Sequence, residues 1–179
     1  MLPRFLVTAG CLGALANPVH VQAQAAPSTA PGFVSEVMLQ IDGSMGKFIA
    51  LAEAMPADKF GWSPGAGTMT VAKVYSHVAR YNYLYPATSL GAKAPGGRDA
   101  DAAEDLTGKA EIVARLKESH EHVRAVVKAL KDPAQGTTQY GRAVPQWSVL
   151  LQLVTHMNEH LGQSIAYARM NGVVPPWSR

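Results

Sequence analysis

Residues 145–172, PQWSVLLQLVTHMNEHLGQSIAYARMNG, decide the fold class, because their apolar residues recur at steps of three and four. This spacing places apolar side chains on one face of an α-helix. The pattern predicts a helix from Pro145 to Asn171, and Gly172 suits the position after a helix C-terminus, where glycine is favoured. At ~100° per residue, the apolar face is expected to centre on Val154. The apolar residues expected near that centre are Leu150, Leu151, Leu161 and Ile165.

Three segments earlier in the chain show the same helical spacing. The predicted helices are residues 33–55, a segment from Thr68 or Thr70 to Leu84, and residues 109–131, the last of them capped by Thr107. No strand is expected, because the alternating runs are too short. Four amphipathic helices of this length must bury their apolar faces against one another. The sequence therefore predicts an all-α four-helix bundle.

The N-terminus has the pattern of a secretory signal peptide over residues 1–25. Arg4 gives the positive start, residues 5–16 the apolar stretch, and residues 23–25 a small-x-small cleavage site. The apolar stretch is shorter than the ~20 residues that a spanning helix needs, so no stable membrane span is expected after cleavage. An uncleaved anchor and lipidation at Cys11 are the alternatives. The leader predicts export to the periplasm or the cell exterior.

The mature chain is expected to consist of a flexible leader, residues 26–32, and one bundle domain, residues 33–179.

The composition gives little support for nucleic-acid binding, because the formal charge of the whole chain is only +3 and no Lys/Arg cluster interleaves with aromatic residues. Cleavage also removes the single cysteine, Cys11. Chemistry in the mature protein must then use histidine, carboxylates, hydroxyls or a bound ion.

His156 and His160 form the first candidate pair of metal ligands. Residues four apart lie on one helix face, about 5.4 Å from each other along the axis, which lets two imidazoles bind one ion. Both fall outside the expected apolar face, so the pair is predicted to face a groove or solvent, and two surface histidines are the alternative. Glu159 points to another side of the helix, so the general base of a zinc protease is not in place.

A third ligand has to come from another helix, and His77 is the candidate. It lies at the edge of the apolar face of the second helix and can point across a groove between helices; a histidine bonded to a backbone carbonyl is the alternative. His120 falls within the apolar stripe of the third helix, which predicts a core residue or one that supports a ligand. His122 is expected to be solvated. Three neutral imidazoles leave a coordination position open, which is typical of catalytic sites.

Three more residues are candidates for contacts near such a site. Arg80 lies one turn beyond His77 on the same side of its helix, where it could contact an anionic substrate or be solvated. Gln163 and Tyr167 could hydrogen-bond a ligand histidine or a substrate, or could be polar residues of the helix surface.

Several segments of the mature chain resemble the DinB/YfiT-like family. Residues 51–64, LAEAMPADKFGWSP, resemble the end of the family's first helix and its Trp-containing loop. Residues 70–79, TVAKVYSHVA, resemble its second helix, which ends in the first ligand histidine. HMNEHLGQ at 156–163, with YARMNGVVPP at 167–176, resembles its last helix and terminal Pro-Pro. The resemblance spans nearly the whole mature chain.

The resemblance implies a four-helix bundle that holds a divalent ion, zinc or nickel, through His77, His156 and His160. Some members of the family are thiol transferases or isomerases, but a secretory leader is unusual for enzymes that use cytosolic thiols. We therefore expect a metal-dependent enzyme of transferase or hydrolase type acting on an unidentified small molecule. A non-catalytic bundle that binds a metal or a small ligand is the alternative. The resemblance and the wide apolar arcs of the helices also predict a homodimer.

Overall fold

The computed structural model describes residues 32–97 and 100–178, so the predicted signal peptide and nearly all of the leader lie outside the described part. Its long helices are α1 (Phe33–Ala54), α2 (Val71–Ser89), α3 (Lys109–Ala129) and α4 (Gln146–Met170). Helices α1 and α2 each pack against both α3 and α4. The four-helix bundle is therefore confirmed. Within the described residues, no helix is both long and apolar enough to cross a membrane.

The ends of the helices follow local side-chain chemistry. Thr70, and not Thr68, caps α2, because its side chain accepts a hydrogen bond from the backbone N–H of Lys73 at 3.1 Å. The predicted cap at Thr107 is wrong, since the extended residue that precedes α3 is Gly108, one position later. Gly172 follows α4 with a positive φ of 73°, which glycine adopts without strain.

Helix α2 continues five residues beyond its predicted end at Leu84, even though it contains Pro86. A proline inside a helix removes one backbone hydrogen bond and is usually costly. Here Tyr85, Pro86 and Ser89 are all buried, so packing against the rest of the bundle offsets that cost. The extension matters for function because it carries Tyr85 past the histidine cluster described below.

A short antiparallel hairpin of β1 (Gly136–Gln139) and β2 (Arg142–Pro145) joins α3 to α4, which corrects the prediction that the chain contains no strand. Its two turn residues both have positive φ, 51° at Tyr140 and 73° at Gly141. Two such residues are typical of the tight turns that match the twist of a hairpin. Strands of only four residues are too short for an alternating pattern to identify them.

The core lies between all four helices. Its largest fully buried side chains include Phe48 on α1, Tyr75 on α2, Leu116 on α3 and Met157 on α4. The ring of Phe48 meets that of Tyr75 edge to face, with the centroids 6.1 Å apart. This packing fixes α2 relative to its neighbours, and so fixes the position of the histidine that α2 contributes to the site.

The helical pattern of α3 predicted the environment of His122 wrongly and that of His120 only in part. His122, expected to be solvated, is 8% exposed and places its ring 5.2 Å from that of Tyr83. His120, expected in the core or in support of a ligand, has a side chain 14% exposed, and its Nε2 lies 2.8 Å from Asp42 Oδ1 on α1. His120 and His122 are two residues apart, so they point in directions that differ by ~200° around the helix. The apolar residues of α3 therefore predicted only approximately which side of the helix is buried.

Asp42 also pairs with Arg124, so one carboxylate on α1 meets two basic side chains of α3. Burial raises the pKa of Asp42, but the hydrogen bonds and charges of Arg124 and His120 outweigh that effect and leave the pKa below its ordinary value. A depressed carboxylate pKa contributes stability that is present at neutral pH and is lost as the pH falls through the depressed value.

We expect the substitution Asp42→Asn to lower the melting temperature by about 1–3 °C at pH 7, a small effect because the pair is partly exposed. The difference from the unsubstituted protein should shrink as the pH falls below about 4, the ordinary pKa of the carboxyl in the unfolded chain, and disappear below its depressed pKa in the folded state. Thermal unfolding followed by circular dichroism measures both. Asp58→Asn, at an exposed acid 3.6 Å from its neighbour Lys59, is the control and should change neither value. A pH-independent loss in Asp42→Asn would contradict the prediction.

Candidate metal centre

His77 of α2 and His156 and His160 of α4 converge in the groove between the two helices. One potential ligand atom from each imidazole lies within 4.8 Å of the other two. The ring centroids are 5.2 Å apart for His77 and His156, 4.8 Å for His77 and His160, and 4.6 Å for His156 and His160. The structure thus brings together the three histidines that the sequence singled out, from two helices distant in the chain.

The pair on α4 is more buried than predicted. His156 is 8% exposed and His160 9% exposed, whereas Leu151, expected near the centre of the apolar face, is 49% exposed. The buried face follows Leu153 and Met157 and includes both histidines, so the prediction of a face centred on Val154 is wrong. The apolar arc of α4 is wide, and which part of it is buried depends on where α1 and α2 pack. The sequence of α4 alone does not contain that information.

Glu104 completes the surroundings of His77, and sequence reasoning did not select it. Its Oε1 accepts a hydrogen bond from Nδ1 of His77 at 2.8 Å. The residue comes from the loop between α2 and α3, in which several acids follow one another without periodicity. The only available signal was that a ligand histidine usually donates its second ring N–H to a carboxylate or a carbonyl. That rule predicts a partner without identifying it.

Two basic side chains hold Glu104 in place. Nζ of Lys73 lies 3.4 Å from its Oε1, and Nε of Arg80 lies 3.1 Å from its Oε2. Burial raises the pKa of Glu104, but the hydrogen bond from His77 and the charges of Lys73 and Arg80 lower it below the ordinary value. The group is therefore a carboxylate at neutral pH and can only accept a hydrogen bond. It follows that Nδ1 of His77 carries the hydrogen and that its Nε2 lone pair is free for an ion.

Arg80 also donates through Nε to Oδ1 of Asp101 at 2.6 Å, and its side chain is 19% exposed. It therefore forms ion pairs with two carboxylates of the loop that follows α2. Its contacts with the site run through Glu104 and through Tyr81, whose ring centroid lies 4.9 Å from the guanidinium carbon. The predicted contact with an anionic substrate stays a prediction.

His160 has an equivalent partner on its own helix. Its Nδ1 lies 2.8 Å from Oε1 of Gln163, whose Nε2 donates to the hydroxyl of Tyr167 at 3.0 Å. The amide oxygen of Gln163 accepts the Nδ1 hydrogen, so Nε2 of His160 is again the nitrogen with a free lone pair. Gln163 and Tyr167 thus form a chain of hydrogen bonds that orients the His160 ring. The three residues lie at steps of three and four along α4, which places them on one face.

Burial favours the neutral form of two of the imidazoles. Burial, together with the positive charges that His160 and His77 would carry, lowers the pKa of His156 to about 3. Burial also lowers the pKa of His77, although Glu104 opposes the shift. Neutral imidazole is the form that binds metals, since protonation removes the lone pair. His77 and His156 are therefore in the metal-binding form at neutral pH.

The donor set fits a divalent transition ion. Imidazole nitrogen suits zinc, nickel and copper, and Zn–N bonds of about 2.0–2.1 Å place two ligand nitrogens no more than about 4.2 Å apart. The limit of 4.8 Å in the structure is wider than this value and than the ~3.4 Å between tetrahedral ligands, so binding an ion requires the rings to rotate about their side-chain bonds and move closer together. Three protein ligands also leave room for a water or substrate oxygen.

Tyrosines of α2 line one side of the cluster. The ring centroid of Tyr81 lies 4.6 Å from those of both His77 and His156, and the Tyr85 centroid lies 5.7 Å from that of His156. The hydroxyl of Tyr140, in the hairpin turn, donates to that of Tyr85 at 2.7 Å. Burial raises the pKa of Tyr85, which therefore keeps its proton at neutral pH. The α3–α4 hairpin thus reaches the edge of the site.

Comparison with known proteins shows the family of this chain. The family model of the DinB superfamily matches residues 40–166, which include all three histidines. The chain belongs to the DinB superfamily. The family identified from sequence is therefore confirmed. No curated protein matches the chain by sequence.

Solved structures of DinB-like proteins share its fold. A DinB-like protein from Bacillus cereus is 18% identical, with a TM-score of 0.69 over 79% of this chain and 95% of that one. YjoA from Bacillus subtilis is 16% identical, with a TM-score of 0.62 over 78% and 93%. YfiT from Bacillus subtilis, described as a probable metal-dependent hydrolase with an unusual four-helix bundle topology, is 20% identical, with a TM-score of 0.62 over 83% and 93%. At these identities the likeness establishes the DinB fold and nothing about the substrate.

Proposed function

We propose that this DinB-superfamily chain is an exported metal-dependent enzyme of hydrolase or transferase type, which holds one divalent ion, zinc or nickel, through His77, His156 and His160. The observation that carries the proposal is the convergence of three largely buried imidazoles, with one potential ligand atom of each within 4.8 Å of the others. The description of YfiT as a probable metal-dependent hydrolase supports the choice of reaction type. The leader of residues 1–25 supports export.

When bound, such an ion polarises a carbonyl or phosphoryl group or lowers the pKa of a water molecule. The residues of the chain prepare the site for it. Glu104 keeps the proton of His77 on Nδ1, and Gln163 does the same for His160, so both Nε2 lone pairs are available. The surrounding burial excludes bulk water and favours neutral ligands.

Elemental analysis of the native protein tests the proposal. The chain is produced without a histidine tag in metal-replete medium, and its content of zinc, nickel and other divalent metals is measured. We expect one ion per chain, which chelation removes and zinc restores. Hydrolysis of a panel of neutral esters is then compared for the loaded and the stripped protein. Activity that depends on the ion supports an enzyme, whereas stoichiometric metal without turnover supports the binding protein. Absence of stoichiometric metal would overturn both.

A further inference from the structure

A cavity of about 330 Å³ lies between the C-terminal half of α2 and the α3–α4 hairpin. Its wall includes Leu84, Tyr85 and Thr88 from the helix, and Thr138 and Tyr140 from the hairpin. The volume is at the lower end of the ~300–1,000 Å³ that ligand pockets occupy. The site described above does not use this cavity.

Tyr85 links the cavity to the histidine cluster. Its side chain lines the cavity, and its ring lies 5.7 Å, centroid to centroid, from that of His156. A molecule that fills the cavity therefore lies one aromatic ring away from the candidate metal ligands. The other end of the cavity reaches the surface, because Thr138 and Tyr140 are both exposed.

The lining points to an uncharged ligand. None of the described residues that line the cavity is charged, and the wall consists of aromatic and aliphatic carbon together with the hydroxyls of tyrosine, threonine and serine. A charged group would lose its hydration there without gaining an opposite charge. Hydroxyls can instead satisfy a carbonyl, ester or amide group of a neutral molecule.

The hydroxyl of Tyr85 is poised to donate to such a group. Its oxygen accepts a hydrogen bond from the hydroxyl of Tyr140 at 2.7 Å. Because Tyr140 is the donor of that bond, the hydrogen of the Tyr85 hydroxyl can be donated to a ligand. Tyr85 lines the cavity and its ring contacts that of His156, so this donor belongs to the side chain that joins the two.

We propose that this cavity is the substrate subsite of the metal centre, that it takes an uncharged aromatic or alkyl carbonyl compound such as an ester or amide, and that Tyr85, which lines the cavity and contacts His156, positions the carbonyl by a hydrogen bond. The inference rests on the proposed function and adds the substrate class to it. Tyr85 is a positioning residue here, because it contacts the ligand in the cavity and is assigned no proton transfer.

Binding of benzamide to the zinc-treated protein, followed by NMR, tests the proposal without requiring turnover. Benzamide is uncharged and carries a carbonyl, and benzamidine has nearly the same shape with a positive charge. We expect benzamide to shift the signals of Tyr85, Thr88 and Thr138, and benzamidine to bind at least about tenfold more weakly. Equal binding of the two, or shifts outside the cavity, would overturn the subsite.

Two variants make the test specific. Thr138→Trp fills the cavity from an exposed position of β1 and should abolish benzamide binding, whereas Thr107→Trp, at an exposed threonine before α3, should leave it unchanged. Tyr85→Phe should weaken benzamide about twofold to tenfold, the worth of one hydrogen bond. Unchanged affinity in Thr138→Trp would overturn the subsite.

The metal content of the same samples separates this inference from the proposed function. Zinc bound at one ion per chain, with benzamide absent from the cavity, overturns the subsite and leaves the proposed function standing. Benzamide bound in the cavity of a protein that retains no zinc overturns the proposed function, while the cavity stands as a site for neutral carbonyl compounds. Zinc content should be the same in Thr138→Trp and the unsubstituted protein, because Thr138 lies outside the ligand set.

Discussion

Replacing His156 with alanine is expected to abolish stoichiometric metal binding. Its ring contacts those of His77, His160, Tyr81 and Tyr85. Burial and the charges of the neighbouring histidines lower its pKa to about 3, so it is a neutral donor at neutral pH. Its loss leaves two nitrogens, too few to hold an ion against exchange with water.

We expect zinc affinity to fall about 100- to 1,000-fold. The free energy of zinc binding to structural sites with four ligands is ~10–16 kcal/mol, which is roughly 2.5–4 kcal/mol per ligand. Competition against a chromophoric chelator measures the affinity, and elemental analysis measures the stoichiometry. His120→Ala is the matched control: it removes an imidazole from α3 that pairs with Asp42. Full zinc affinity in His156→Ala would show that the ion binds elsewhere, and a loss in His120→Ala would show that the effect is not specific to the cluster.

Replacing Glu104 with alanine should weaken zinc binding about 10- to 100-fold, although Glu104 is not itself a ligand. Its carboxylate holds the hydrogen of His77 on Nδ1 and increases the basicity of the opposite nitrogen. Without it, the ring of His77 is free to rotate and to bind its proton on either nitrogen. The loss should therefore be smaller than that in His156→Ala.

The variant Glu104→Gln separates the two contributions of this carboxylate. The amide oxygen of glutamine can still accept the Nδ1 hydrogen, but the negative charge is gone, so we expect an affinity between those of the unsubstituted protein and Glu104→Ala. Asp101→Asn is the control, because Asp101 also pairs with Arg80, and its side chain is 67% exposed. Equal zinc affinity in Glu104→Ala and Asp101→Asn would contradict a specific role for Glu104.

The fold and the three histidines follow from periodicity. Four apolar stripes with helical spacing require a bundle, and the i, i+4 spacing of His156 and His160 places two imidazoles side by side wherever α4 packs. His77 follows less directly, because its position at the edge of an apolar face is compatible with several roles. The position of His120 within an apolar stripe favoured His77 over it, and the resemblance to the DinB/YfiT-like family strengthened that choice.

The features that the sequence did not reveal depend on contacts between distant segments. Glu104 lies in a loop, where no periodicity indicates which acid turns inward. The helices that pack against α4 decide which of its sides is buried. From the apolar residues alone, the centre of that side was predicted at Val154, whereas the buried residues follow Leu153 and Met157. The hairpin is too short to show alternation, and its one local signal is the Tyr140–Gly141 pair, whose positive φ angles form the turn.

The ligands also lie far apart in the sequence, with His77 on the second helix and the other two on the last. A nascent chain in which α4 has not yet been synthesised contains only His77 of the three. The three histidines therefore come together only when the complete polypeptide has folded. In the proposed export of this chain in an unfolded state, that moment would come after translocation. Metal supply in the compartment of folding, together with the nitrogen ligand set, then decides which ion the protein acquires.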